Sequence, residues 1–253
     1  MTKVVLSAQN LVKRFGGITA TSNVTLNLAH GARHALIGPN GAGKTTLINL
    51  LTGMLEPSEG RIVLQGEDIT RLAPHQRVCR GMVRTFQINQ LFNSMTPLET
   101  LALVVSQQRG LGARWWQRLG AQGGVAERCD QLLEQFHLTD VMRQRTEHLP
   151  YGKRRLLEIA IALACEPRVL LLDEPVAGVP PGEREELLQT VAALPADVSV
   201  LLIEHDMDLV FDFAKRITVL VNGALLTEGT PDEIARDPQV KAVYLGHGEE
   251  AHG

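Results

Sequence analysis

The residues Gly38-Pro39-Asn40-Gly41-Ala42-Gly43-Lys44-Thr45-Thr46 bring three glycines together with a lysine and two hydroxyls. They fit the spacing GxxxxGK[ST], with Gly38, Gly43, Lys44 and Thr45 at the defining positions. Glycines let main-chain N–H groups converge on an anion without obstruction by Cβ, and a helix that begins at Lys44 turns its positive end on the same anion. Lys44 suits the β- and γ-phosphates of a nucleotide. The Thr45 hydroxyl suits Mg2+, an ion that keeps most of its own waters and bridges phosphate oxygens. A glycine-rich turn that merely capped a helix would not need lysine followed by threonine.

A second feature is Val169-Leu170-Leu171-Leu172-Asp173-Glu174, an apolar run ending in two acids. Neighbouring side chains leave a strand end in different directions, which suits two separate tasks. Asp173 can hold the Mg2+ shell, and Glu174 can orient and deprotonate an attacking water. An acidic pair after an apolar strand also suits a helix cap. The phosphate-binding loop upstream favours the metal-and-water reading.

The elements that must hold these groups can be read from the hydrophobic pattern. Short β-type runs cover 4–6, 24–28 and 33–37, the last ending at the glycine-rich turn, and a helix is expected over 44–54 and a strand over 60–65. From 89 to 149 helical patterns dominate, notably 97–107 and 126–136, and strand signals vanish. Strands at 169–172, 198–203 and 217–221 then alternate with helices at 182–194 and 206–214. That alternation implies a parallel sheet with right-handed crossovers.

A chain of 253 residues, 44% hydrophobic but 4% aromatic, suits one large domain with an aliphatic core. Its formal net charge of −3 offers no basic field for a polyanionic backbone, so no nucleic acid partner is expected. Cys79, Cys129 and Cys165 lack metal-clamp or redox spacing, which suits a reduced compartment. No run approaches the roughly 20 apolar residues of a membrane-spanning helix, and the N-terminus lacks a signal-peptide core. The tail from residue 247 is polar and expected to fray, with His247 and His252 as non-ligands.

The order of residues 38–46, Gln87, Leu149-Pro150-Tyr151-Gly152-Lys153, Asp173-Glu174 and His205 resembles the nucleotide-binding domain of ABC transporters over nearly the whole chain. Residues 149–153 are a variant of that family's LSGGQ signature. The resemblance implies an α/β fold: a P-loop NTPase (RecA-like) core with an antiparallel β subdomain and a helical ABC-specific lobe. As a single ABC ATPase domain it divides into core and β subdomain at 1–88 and 156–246, lobe at 89–155 and tail at 247–253.

The resemblance further implies ATP and Mg2+ as ligands. Gly38, Asn40, Gly41, Gly43, Lys44, Thr45 and Thr46 cradle the nucleotide, and Thr45, Gln87 and Asp173 serve the metal shell. Tyr151, Gly152 and Lys153 cover the ATP of a facing subunit. Glu174, His205, Gln87 and Lys44 form the catalytic set, with His205 as the switch histidine for the γ-phosphate. The alternative for Gln87 is a solvated loop amide. Phe15 either stacks on adenine or anchors the core at the end of the first strand. Of the 8 histidines, those other than His205 read as surface or capping residues.

Two departures stand out. Pro150 replaces the serine that usually bonds the γ-phosphate across the dimer, leaving the Gly152 N–H and a helix beginning at Lys153 as the groups expected to be available to the anion. Pro180 stands where the family's D-loop ends in Asp or Asn, which alters communication between ATP sites. Lys44, Asp173, Glu174 and His205 are all present, so a competent ATPase is expected.

Arg84-Thr85-Phe86-Gln87-Ile88-Asn89, the run 156–160, Gly229-Thr230-Pro231 and Val243-Tyr244-Leu245-Gly246 look like the larger ATPase of branched-chain amino acid importers. The implied partners are transmembrane permease subunits, a second ATPase subunit (a like copy or a sister) and an external solute-binding protein, with the chain at the cytoplasmic face of the cell membrane. The segment 108–124, with Trp115 and Trp116, either packs on its own lobe or docks the membrane partner. Competing readings are the ATPase of an exporter such as lipopolysaccharide extraction, a soluble non-transport ABC ATPase, and a P-loop kinase.

Overall fold

The computed structural model describes residues 3–85, 91–111 and 124–245. β1 (Val4–Phe15) and β2 (Ile18–Ala29) form a hairpin turning at Gly16-Gly17, with Phe15 opposite Ile18. Both are longer than the runs expected at 4–6 and 24–28. Asn10 and Asn23 adopt a φ of 53°, and the register shifts between Ala8 and Leu11, which breaks the alternation that marks a strand in sequence. β1 also pairs with β4 (Glu59–Leu64), and β5 (Glu67–Asp68) completes an antiparallel sheet of order β2-β1-β4-β5.

The second sheet has the order β10 (Ala224–Gly229), β9 (Arg216–Val221), β3 (Arg33–Ile37), β8 (Ser199–Ile203), β7 (Val169–Asp173), β6 (Met82–Arg84). From β9 to β6 all neighbours are parallel. Every residue of β7 and β8 is buried, the pattern of strands covered on both faces. β10 returns antiparallel to β9 through Asn222-Gly223, at φ 49° and 77°. That Asn-Gly pair is a hairpin signal that the sequence reading passed over.

The helices are α1 (Lys44–Thr52), α2 (Pro74–Cys79), α3 (Pro97–Gln108), α4 (Val125–Gln135), α5 (Tyr151–Ala164), α6 (Pro181–Ala192), α7 (Met207–Phe213), α8 (Pro231–Arg236) and α9 (Pro238–Leu245). Gly53, in the left-handed region, ends α1. The buried Arg77 donates to the Leu50, Leu72 and Thr70 carbonyls at 2.7, 2.9 and 2.8 Å, neutralising the negative end of α1. α3 starts at a capping box of Thr96 and Glu99.

One core packs α3, α4 and α5 around Leu101, Leu132, Phe136 and Leu157 and extends under α6 and β7. A second joins the antiparallel sheet to α1 through Leu26, Leu28, Leu47 and Ile62. A third lies between β3, β9 and α7. His34 departs from its expected surface role: it is buried in β3, with Nε2 2.7 Å from the Thr218 hydroxyl.

Candidate functional site

Residues 38–43 carry the chain from the C-terminal end of β3 into α1. A Cβ at Gly38 would fall 2.1 Å from the Leu220 carbonyl oxygen, and one at Gly43 would fall 2.6 Å from that of Ala20. Only glycine lets the loop lie this close to β9 and β2. The loop, Glu174, residues 18–20 and Asn222-Gly223 enclose a cavity of about 490 Å3, within the size range of small-molecule sites. Lys44 folds back on its own loop, donating to the Gly38 and Pro39 carbonyls at 2.5 and 3.0 Å. Burial lowers its ammonium pKa, while Glu174 and Asp173 act in the opposite sense.

The acids arrive from the neighbouring strands. Asp173 ends β7 opposite Ile203 of β8, and the Glu174 N–H donates to the Ile203 carbonyl at 2.9 Å. Glu174 has a φ of 46°, a left-handed conformation that turns its side chain toward the cavity it lines. His205 follows β8, with Nδ1 3.7 Å from Glu174 Oε1 and 3.8 Å from Glu204 Oε2 and a side chain 69% exposed. Lys44, Glu174 and His205 therefore meet at the C-terminal ends of adjacent parallel strands, where ligands of open α/β sheets bind.

Asp173 is held by a residue to which the sequence reading assigned no role here. Arg84 Nη2 donates to Asp173 Oδ2 at 2.6 Å, and Nη1 donates to Asn49 Oδ1 of α1 at 2.8 Å. The oxygen donors near the loop, the exposed Thr45 hydroxyl and the Asp173 carboxylate, fit a hard cation shared with phosphate rather than caged by protein. Among the described residues no cluster of His, Cys, Asp and Glu forms a metal cage.

Other expected residues lie elsewhere. Phe15 is 47% exposed, with Lys13 Nζ 5.2 Å from its ring centroid, which excludes the core-anchor alternative. Gln87, Trp115 and Trp116 fall outside the described residues. Tyr151, Gly152 and Lys153 do not line the cavity and are engaged within the chain. The Tyr151 hydroxyl donates to the Ala177 carbonyl at 3.1 Å, and Lys153 Nζ donates to the His137 carbonyl at 2.6 Å.

The expectation that the Gly152 N–H stays available is corrected: it donates to Glu183 Oε2 at 2.6 Å. The helix also begins at Tyr151 rather than Lys153. Both follow from Pro150, which suits the N-cap backbone but has no side-chain oxygen for the orphan N–H groups of the first turn, so Glu183 of α6 supplies one.

The family profile described as ABC transporter matches residues 21–177, and that described as Branched-chain amino acid ATP-binding cassette transporter matches residues 224–250. The chain is 40% identical to the high-affinity branched-chain amino acid transport ATP-binding protein BraF of Pseudomonas aeruginosa, the match covering 97% of this chain and 99% of that one. It is also 40% identical to LivG, the protein of the same description from Escherichia coli K12, at the same coverage. Among solved structures, the ADP conformation of an ATP-binding cassette of an ABC transporter superposes with a TM-score of 0.82 at 32% identity, covering 97% of this chain and 100% of that one. A nucleotide-free cassette gives 0.81 at 31% identity, covering 95% and 98%. With the phosphate-binding loop and Glu174 on one cavity, Asp173 beside Glu174 and His205 3.7 Å from it, these matches establish that the chain belongs to the ABC transporter family, as one of its ATP-hydrolysing cassettes.

Proposed function

We propose that this chain powers a branched-chain amino acid importer from the cytoplasmic face of the membrane, bound to permease subunits and paired with a second cassette, with an external solute-binding protein delivering the cargo. The cargo assignment is supported by the two relatives named above and by the match at 224–250. The observation that carries the catalytic part is that Lys44 and Glu174 line one cavity, with His205 Nδ1 3.7 Å from the Glu174 carboxylate.

The loop amides and Lys44 grip the triphosphate, Lys44 exchanging the Gly38 and Pro39 carbonyls for the β- and γ-phosphates. Thr45, Asp173 and Gln87 would hold Mg2+, which would supply positive charge to the phosphate oxygens. Glu174 orients the attacking water and takes its proton, and His205 contacts the γ-phosphate. Phe15 meets the adenine, and Tyr151, Gly152 and Lys153 face the nucleotide of the paired subunit. In this cycle residues 1–88 and 156–246 act as the nucleotide-binding core and 89–155 as the lobe. ATP performs work only through its tighter binding to the closed pair.

Permease docking is supported by an apolar groove of about 220 Å3 lined by Val83, Leu91, Phe92, Val104 and Ile161, since among the described residues no helix is long and apolar enough to cross a membrane. The chemistry is tested with Glu174→Gln. Calorimetry should give wild-type Mg2+-ATP affinity while phosphate release falls by about 100-fold or more; turnover equal to wild type would sink the assignment.

A further inference from the structure

Glu204 is an unusual residue to find behind the cavity. It follows the fully buried β8, and its side chain has 0% exposure. Oε2 accepts the N–H of His205 at 3.1 Å and that of Asp206 at 3.5 Å, and the carboxylate lies close enough to Val176, two residues after Glu174, for that N–H to act on its charge. Oε1, equally buried, has no hydrogen-bond partner among the described residues.

A buried carboxylate oxygen left without a donor costs stability, and an apolar side chain of similar volume at such a place is commonly neutral or stabilising. Packing alone therefore gives no reason for a glutamate here. Its contacts do: they hold the main-chain N–H groups on both sides of His205, directly after Ile203, whose carbonyl accepts the Glu174 N–H at 2.9 Å. Burial raises the carboxyl pKa, and the His205, Asp206 and Val176 N–H groups pull it back.

We propose that Glu204 is a positioning residue for ATP hydrolysis, clamping the His205 main chain to the loop after Glu174 so that imidazole and carboxylate keep their mutual geometry. The proposal rests on the roles assigned to Glu174 and His205. Glu204 does not line the cavity. It acts through His205, so its removal slows turnover without weakening nucleotide binding. Its grip is on N–H donors, so an uncharged acceptor of the same shape replaces it.

The test uses steady-state phosphate release by the full chain across Mg2+-ATP concentrations, with a thermal midpoint for each variant. Glu204→Leu should lower kcat by about tenfold or more with KM within about twofold. Glu204→Gln should restore kcat to within about threefold of wild type, because its amide oxygen accepts the same N–H groups. Glu204→Leu added to His205→Ala should cause no further loss of the residual turnover.

A Glu204→Leu kcat within twofold of wild type overturns the proposal, as do losses that multiply in the double variant. A parallel fall of kcat and midpoint in both the Leu and Gln variants also overturns it, because a purely structural residue behaves that way. Should the leucine variant fail to fold, Glu204→Gln decides: kcat below a tenth of wild type with its midpoint intact refutes the clamp. Full activity in His205→Ala would instead refute the underlying histidine assignment.

Discussion

Replacing Arg84 by methionine keeps the aliphatic stem but removes the guanidinium that faces Asp173. The side chains of Arg84 and Asp173 are 12% and 8% exposed, so the carboxylate would be left in a place that water barely reaches. Breaking a buried pair on one side costs about 3–5 kcal/mol, and the lost Asn49 contact adds roughly 1 kcal/mol. Against a total stability of about 5–15 kcal/mol, that is a large share. At about 2–4 °C per kcal/mol for a chain of this size, the midpoint should fall by roughly 8–24 °C.

Equilibrium urea unfolding of wild type, Arg84→Met, Asp173→Asn and the double variant closes a thermodynamic cycle. The double variant should recover most of the loss, because the asparagine carries no charge that needs a partner. A loss under about 1 kcal/mol in Arg84→Met, or no recovery in the double variant, would show that Asp173 does not depend on Arg84. Mg2+-ATP should restore part of the loss in Arg84→Met, since a ligand that binds only the folded chain stabilises it.

Two further outcomes follow from contacts elsewhere. Burial drives the His34 pKa from 6.5 down to about 4, against the opposing pull of Glu228, so the folded chain holds this imidazole neutral while the unfolded chain protonates it below 6.5. Stability should be complete above pH 6.5 and fall steadily toward pH 4. By pH 5 the unfolding free energy of wild type from urea titrations should fall about 2 kcal/mol more than that of His34→Gln, and parallel pH profiles would refute this. Glu183→Ala frees the Gly152 N–H, so in a Glu174→Gln background ATP-dependent dimerisation by sedimentation should strengthen about tenfold, the release of one charge-assisted bond. Unchanged dimerisation would mean that Gly152 does not meet the partner's nucleotide.

The Gly38-to-Thr46 loop was legible because everything it needs is local: glycines where the main chain must pass close to Leu220 and Ala20, a lysine, and a hydroxyl, all within one turn of chain. The buried strands around it were legible too, since β7 and β8 carry the apolar runs 169–172 and 200–203 ending in Asp173-Glu174 and Glu204-His205, and β3 closes on Ala35-Leu36-Ile37 before Gly38. Strand-end chemistry of this kind is written in consecutive residues.

Residues far apart along the chain carried no such signature. Arg84 and Asp173 meet because β6 lies beside β7, Glu183 reaches Gly152 because α6 packs against α5, and His34 is buried because β9 covers it. A polar side chain in sequence shows its type but not its exposure or its partner. Asp173 and Glu204 read alike as acids at strand ends; packing held one against a guanidinium and closed the other off with an oxygen that has no partner among the described residues. Local main-chain demands are encoded residue by residue, whereas burial and pairing arise only when distant segments exclude water together.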